Sequence, residues 1–223
     1  MNPMRHKRIQ YLGQPEEKGD RKMKKTTLLT VLALVLMALQ CGCSAELGGR
    51  KGFLSDYSRL QRHSDVSYRY LGPTLASYSQ FIVDPVAIHF DAGSKASKIS
   101  AENVADMQNY MHAALLSALS DRYLIVYQPG PGVARLRVAL TDLKKSKVLM
   151  NIHPGSKLMG SGLGGASLEA ELVDSQSGTQ IAALVESQLG NRLSLEGLSK
   201  WGDAKAVMDD WAERLRQRIA EAH

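Results

Sequence analysis

"ASLEAELVDSQSGTQIAALVESQ" runs from Ala166 to Gln188, and the fold follows from how it is read. In the first arm Leu168, Ala170 and Leu172 fall on one side, and Glu169 and Glu171 fall on the other. Strict alternation sends successive side chains to opposite faces of a strand, so the apolar set points to a core and the glutamates point outward. "DSQSGTQ" reads as a hairpin turn, with Gly178 at the position that needs a positive φ. Asp174 in this turn bonds its own backbone rather than acting as a catalytic carboxylate. "IAALVESQ" returns as the partner strand. A hairpin with one apolar face needs further strands beside it and a second layer over it.

The flanking sequence supplies both. "SQFIVDPVAIHF" (Ser79 to Phe90) suits a strand, interrupted at Pro85, which implies an edge or a bulge. "SAENVADMQNYMHAALLSAL" follows, with Ser100 placed to cap a helix and Glu102 in its first turn. Val104, Met107, Met111, Leu115 and Leu119 share one helical face. "YLIVYQ" (Tyr123 to Gln128) reads as a buried strand, "PGPG" (Pro129 to Gly132) as a turn, and "VARLRVALTDL" (Val133 to Leu143) as an alternating strand. The last 22-residue stretch before His223, "WGDAKAVMDDWAERLRQRIAEA", carries Ala204, Val207, Met208, Trp211, Leu215 and Ile219 as a single stripe.

The order β-α-β-β-β-β-α predicts an α+β two-layer sandwich. Its sheet is mixed, mostly antiparallel and of about five strands, with both amphipathic helices on one face. The first helix should form a right-handed crossover between two parallel strands, and the later strands should be antiparallel. One domain over residues 53–222 is expected.

Charge and the N-terminal region speak to location. The net charge is +6 over 223 residues, but residues 1–42 hold eight Lys/Arg against three acids. From Cys43 onward 20 basic residues face 19 acidic ones, so the body lacks the basic footprint of a nucleic-acid binder. "TTLLTVLALVLMAL" (Thr26 to Leu39) is too short to span a bilayer. With Lys24 and Lys25 before it and small residues after it, the run reads as a secretory signal over residues 23–42. Residues 1–22 are polar and patternless, which fits a disordered extension or a translation start at Met23.

"LQCGCS" (Leu39 to Ser44) resembles the lipobox of bacterial lipoproteins. Cys43, preceded by the small Gly42, fits the acylated position; Cys41 follows the bulky Gln40 and does not. The resemblance implies a lipid on Cys43 and a tether over residues 43–52. Ser44 in the sorting position implies the outer membrane, with the domain facing the periplasm. Two or more acyl chains give stable anchoring. "GFLSDYSRL", "FIVDPVAIHF", "PGPGVARLRVALTD" and "GSGLGGASLEAELVDSQSG" together resemble a family of bacterial lipoproteins catalogued as domain of unknown function 3313. The likeness covers Arg50 to Ala220 and implies an envelope location with no established activity.

Little in the chain suggests chemistry. "GSGLGG" (Gly160 to Gly165) matches G-x-G-x-x-G, but a strand rather than a helix follows it, so no cofactor is expected. His63, His89, His112 and His153 lie in different elements without ligand spacing, so no metal is expected. No serine sits in a G-x-S-x-G elbow, and no catalytic residue is named. The loop of about Met150 to Gly165 is long and glycine-rich, and Lys157, Leu158 and Met159 form a small apolar–basic patch suited to a protein neighbour. Phe53 and Tyr57, with Leu54 and Leu60 at helical spacing, are the second candidate contact. The expected role is non-enzymatic: binding of an envelope protein or of a second copy, or envelope assembly, on a membrane held through Cys43. The alternative is a periplasmic ligand-binding domain or hydrolase, which requires a concave pocket with convergent polar groups.

Overall fold

The computed structural model describes residues 50–152, 155, 159, 162–191 and 195–223. Its strands are β1 (Gln61–Ser64), β2 (Ser67–Leu71), β3 (Gln80–Val83), β4 (Ala87–Ile88), β5 (Leu124–Ile125), β6 (Val133–Lys144), β7 (Gly165–Asp174) and β8 (Gln180–Leu189). The helices are α1 (Ala101–Ser120), α2 (Val148–Ile152) and α3 (Gly202–Ala222). All eight strands form one sheet in the order β1-β2-β8-β7-β6-β3-β5, with β4 pairing β6 further along.

The β7–β8 hairpin is the centre of this sheet. β7 pairs antiparallel with β8, and Gly178 turns between them at φ 72°. Asp174 caps the turn by accepting from the backbone N–H groups of Gln176 at 3.1 Å and Ser177 at 2.7 Å. β6 lies antiparallel to β7, and β3 and β5 complete the sheet in parallel. Pro85 breaks the first expected strand into β3 and β4, which pair with successive parts of β6.

The helical periodicity was legible. Met107, Met111, Leu115 and Leu119 of α1 are buried, and so are Ala204, Val207, Met208, Trp211 and Ile219 of α3. They form one core with Leu136, Val138, Leu140, Leu168 and Leu172 of the sheet, so both helices cover the same face. Each fully buried side chain of this size stabilises the fold by roughly 1.5–3 kcal/mol before entropy. Ser100 stands at the N-cap of α1, but its hydroxyl accepts from the Asn103 side chain rather than from a backbone N–H.

Three expectations are corrected. The sheet has eight strands, not about five, because "QRHSDVSYRYL" forms the β1–β2 hairpin and adds to β8 at one edge. β5 and β6 are not antiparallel neighbours; both lie parallel to β3, one on each side of it. A turn sequence fixes where the chain bends, not which strand it joins. Last, the domain has a third layer. Residues 50–60 cross the sheet face opposite the helices, where Leu54 packs with Ala183 and Val185 beside Phe53, Tyr57, Leu60, Tyr68 and Tyr70. That segment contains no helix, despite its spacing. Glu169 and Glu171 consequently do not meet solvent: they are 0 % and 1 % exposed.

Candidate functional site

Two buried glutamates hold the N-terminal segment in place. Glu169 accepts from the backbone N–H groups of Lys51 and Phe53, the latter at 2.9 Å, and from the Tyr57 hydroxyl. Glu171 accepts from the Ser55 N–H at 2.9 Å and from its hydroxyl at 2.7 Å. Arg137 at 2.6 Å and the Gln180 amide at 2.9 Å complete its shell. The donors at 51, 53 and 55 alternate as an extended chain requires, so the segment is a strap stitched to carboxylates rather than to a strand. Burial, then the bond to Glu169, raises the Tyr57 pKa above its ordinary value. Phe53 stacks edge-on against His89 at 5.4 Å and lies 5.2 Å from the Arg137 guanidinium. Both aromatic residues named as a partner contact are therefore half-buried and engaged within the protein.

The glycine-rich approach to β7 has a packing reason. Asp203, fully buried in the first turn of α3, accepts from the Gly164 N–H at 2.7 Å and from the Ser146 hydroxyl at 2.8 Å. A carboxylate suits a helix N-terminus. A Cβ on Gly164 would stand 2.7 Å from the Lys144 carbonyl oxygen, and one on Gly190 would stand 2.3 Å from Asp203 Oδ1. These glycines let two segments close on one carboxylate. Met159 is 80 % exposed, and Lys157, Leu158, His153 and Cys43 lie outside the described residues.

A feature that sequence reading missed lies between α3 and the sheet. A cavity of about 60 Å3 opens there, walled by Leu168, Ala170 and Leu172 of β7, Ala182 and Leu184 of β8, and Trp211 of α3. Tyr70 and Glu171 also touch it, but their polar ends are turned to the opposite face, where Arg59 donates to the Tyr70 hydroxyl at 3.0 Å and Arg137 to Glu171. Three arginines line the cavity as well: Arg69 from β2, and Arg214 and Arg218 from α3.

Among the described residues, only Arg214 of the three forms an ion pair. Arg214 donates to buried Glu186 at 2.6 Å and lies 3.0 Å from Asp210. Burial alone would raise the Glu186 carboxyl, but Arg214, the Trp211 indole N–H and the Ser67 hydroxyl together hold it below the usual glutamate range. Arg69 bonds the His63 ring at 2.7 Å, and neither Arg69 nor Arg218 pairs with a carboxylate among the described residues. Burial, then Arg214 and Arg69 close by, pull Arg218 below its ordinary pKa against the opposing attraction of Glu186 and Glu221. Nε of Arg214 is buried without an acceptor. Such a signal was hard to see beforehand, because Arg69 and Arg218 are 149 positions apart in the chain.

Elsewhere His89 packs on Phe53, and His112 faces the Val83 carbonyl oxygen at 3.4 Å. Among the described residues no three metal-ligating side chains converge, and no helix is long and apolar enough to cross a membrane.

The fold and cavity define a sheet-and-helix domain with a strapped rear face and a cation-lined apolar cleft. The chain belongs to the family described as "Protein of unknown function (DUF3313)", whose model matches residues 50–215. No curated protein matches significantly. Among solved structures, a PelC dodecamer from Paraburkholderia phytofirmans aligns at TM-score 0.40 and 12% identity, over 66% of this chain and 96% of that one. Protein XCC0632 from Xanthomonas campestris aligns at TM-score 0.39 and 12% identity, over 68% and 91%. Lipoprotein GNA1162 from Neisseria meningitidis aligns at TM-score 0.31 and 15% identity, over 64% and 99%.

Proposed function

We propose that this chain is a lipid-anchored envelope protein that works by binding. Cys43 carries the lipid, Ser44 directs the protein to the outer membrane, and the domain faces the periplasm. Downstream of that cysteine, the strap from Lys51 to Ser55 is stitched to the domain through Glu169 and Glu171. The observation that carries the binding role is the small cleft under α3, whose apolar walls with a few charged groups at hand match the lining of a ligand site. This favours ligand capture over the protein contact expected from Lys157, Leu158 and Met159. An exposed Met159 keeps that patch as a second surface for an envelope protein.

Two measurements test the reading. A clickable palmitate should label the wild-type chain and the Cys41→Ser variant, and Cys43→Ser should lose both the label and sedimentation with membranes. Protein isolated from envelopes should carry a co-purifying molecule that is lost when Ala170→Phe fills the cleft. A Cys43→Ser chain that keeps its label removes the anchor. Identical extracts from wild type and Ala170→Phe remove the cleft.

A further inference from the structure

We propose that the cleft holds the apolar end of a single acyl chain whose carboxylate rests on Arg69 and Arg218. This rests on the binding reading above and names its ligand class.

Three features select that class. Cavity size comes first: at about 60 Å3 the cleft admits the tip of one slender apolar group and nothing as large as a ring system with substituents. Charge comes second. Glu186 and Asp210 answer Arg214. Arg69 and Arg218 line the same cleft, and among the described residues neither has a carboxylate within ion-pair distance, although Glu186 and Glu221 act on Arg218 from further away. Guanidinium groups gathered at a partly dry cleft favour an anionic oxygen pair, which they can bind through parallel N–H donors.

The third feature separates an acyl chain from a peptide. A bound peptide brings N–H and C=O groups that need partners. The walls of this cleft are side chains on elements whose backbones are already paired. β7 bonds β6 and β8, β2 bonds β1 and β8, and α3 is closed within itself. A peptide backbone would find few acceptors or donors there. Between its carboxylate and its terminal methyl, an acyl chain has no polar group to satisfy.

Trp211 in the wall supplies the readout. The full chain carrying Cys43→Ser is used, so that no attached lipid competes. Decanoate brominated at its terminal carbon, a contact quencher, is titrated against tryptophan fluorescence. Saturable quenching is expected, with unbrominated decanoate competing. Decanol and decyltrimethylammonium should compete about tenfold more weakly or not at all, since a hydrogen bond to a charged group is worth roughly a factor of ten or more. Arg218→Gln and Arg69→Gln should each weaken decanoate about tenfold while Tm is unchanged, and Ala170→Phe should abolish quenching. The arginine variants alter half-exposed side chains and keep the test valid if Ala170→Phe misfolds.

Absence of saturable quenching overturns the proposal, as does equal competition by decanol. Equal decanoate affinity in Arg218→Gln and wild type overturns the assigned head site. Stronger competition by a phenylalanine-ending peptide than by decanoate overturns the ligand class while leaving the binding role in place. Failure of every probe together with an Ala170→Phe envelope extract identical to wild type defeats the binding role too.

Discussion

Replacing Glu169 with alanine removes one acceptor from three donors: the Lys51 and Phe53 backbone N–H groups and the Tyr57 hydroxyl. Hydrogen bonds to a charged group contribute roughly 1.5–3 kcal/mol each, so a rigid strap would lose about 5–9 kcal/mol. The strap is not rigid once released. It can lift, hydrate its donors and regain chain entropy, giving up the burial of Leu54 against Ala183 and Val185 and the two bonds from Ser55 to Glu171. Escape of this kind caps the cost, and about 3 kcal/mol is expected. Urea unfolding of the Cys43→Ser chain, extrapolated linearly, measures it. Glu169→Gln is the sharper variant. It fills the same volume but places an amide N–H2 among three donors, so it should lose nearly as much as alanine. Hydrogen exchange at the Lys51 and Phe53 amides should rise to loop-like rates in both variants while Leu136 and Leu168 amides stay protected. A Glu169→Gln protein within about 0.5 kcal/mol of the parent, with its strap amides still protected, would show that packing alone seats the strap.

Other perturbations probe the remaining layers. Met111→Asp buries an unpaired charge at a position 1 % exposed and should cost about 4 kcal/mol or more, read as a large drop in the urea midpoint. Gly190→Ala puts a methyl group 2.3 Å from Asp203 Oδ1 and should destabilise by about 2 kcal/mol, whereas Gly178→Ala, in open space but at φ 72°, should cost about 1 kcal/mol. Glu186 sits below the usual glutamate range in the folded state. Its contribution is therefore full above the unfolded pKa and fades as pH falls through that value toward the folded one. Thermal melts between pH 6 and pH 3 should show the wild type losing stability in the acid limb more steeply than Glu186→Gln, and parallel curves would refute the assignment.

How far the sequence could be read depends on what a periodic pattern encodes. Spacing of Met107, Met111, Leu115 and Leu119 identified α1 and its buried face because only a covered surface makes such a stripe favourable. Gly178 and Asp174 identified the β7–β8 turn because one backbone angle and one side-chain acceptor are local properties. β1 and β2 escaped notice because Arg62, His63, Asp65 and Arg69 interrupt the apolar alternation of a short edge hairpin. The pairing of β3 with both β5 and β6 has no local signal, since strand neighbours are chosen by the whole sheet.

Glu169 and Glu171 mark the same boundary on the functional side. Alternation placed them correctly on the face away from the helices, but it is silent on whether that face is wet. The answer lies 116 residues earlier, in the N–H groups of Phe53 and Ser55, and no spacing rule joins the two segments. The strap segment itself could be read as apolar but not as irregular, because a chain that hydrogen-bonds to buried carboxylates needs neither helix nor strand to satisfy its backbone. The arginine cleft follows the same logic with the opposite charge. Arg69 sits on a polar-looking strand next to the sheet edge, and Arg214 and Arg218 on the polar flank of an amphipathic helix, where each would pass as solvated surface. Folding brings that strand under the flank, and three surface cations become the lining of an apolar cleft. One central strand thus divides the work: even-numbered β7 positions Leu168, Ala170 and Leu172 wall the cleft, and odd-numbered Glu169 and Glu171 fasten the segment that leads back to the proposed anchor.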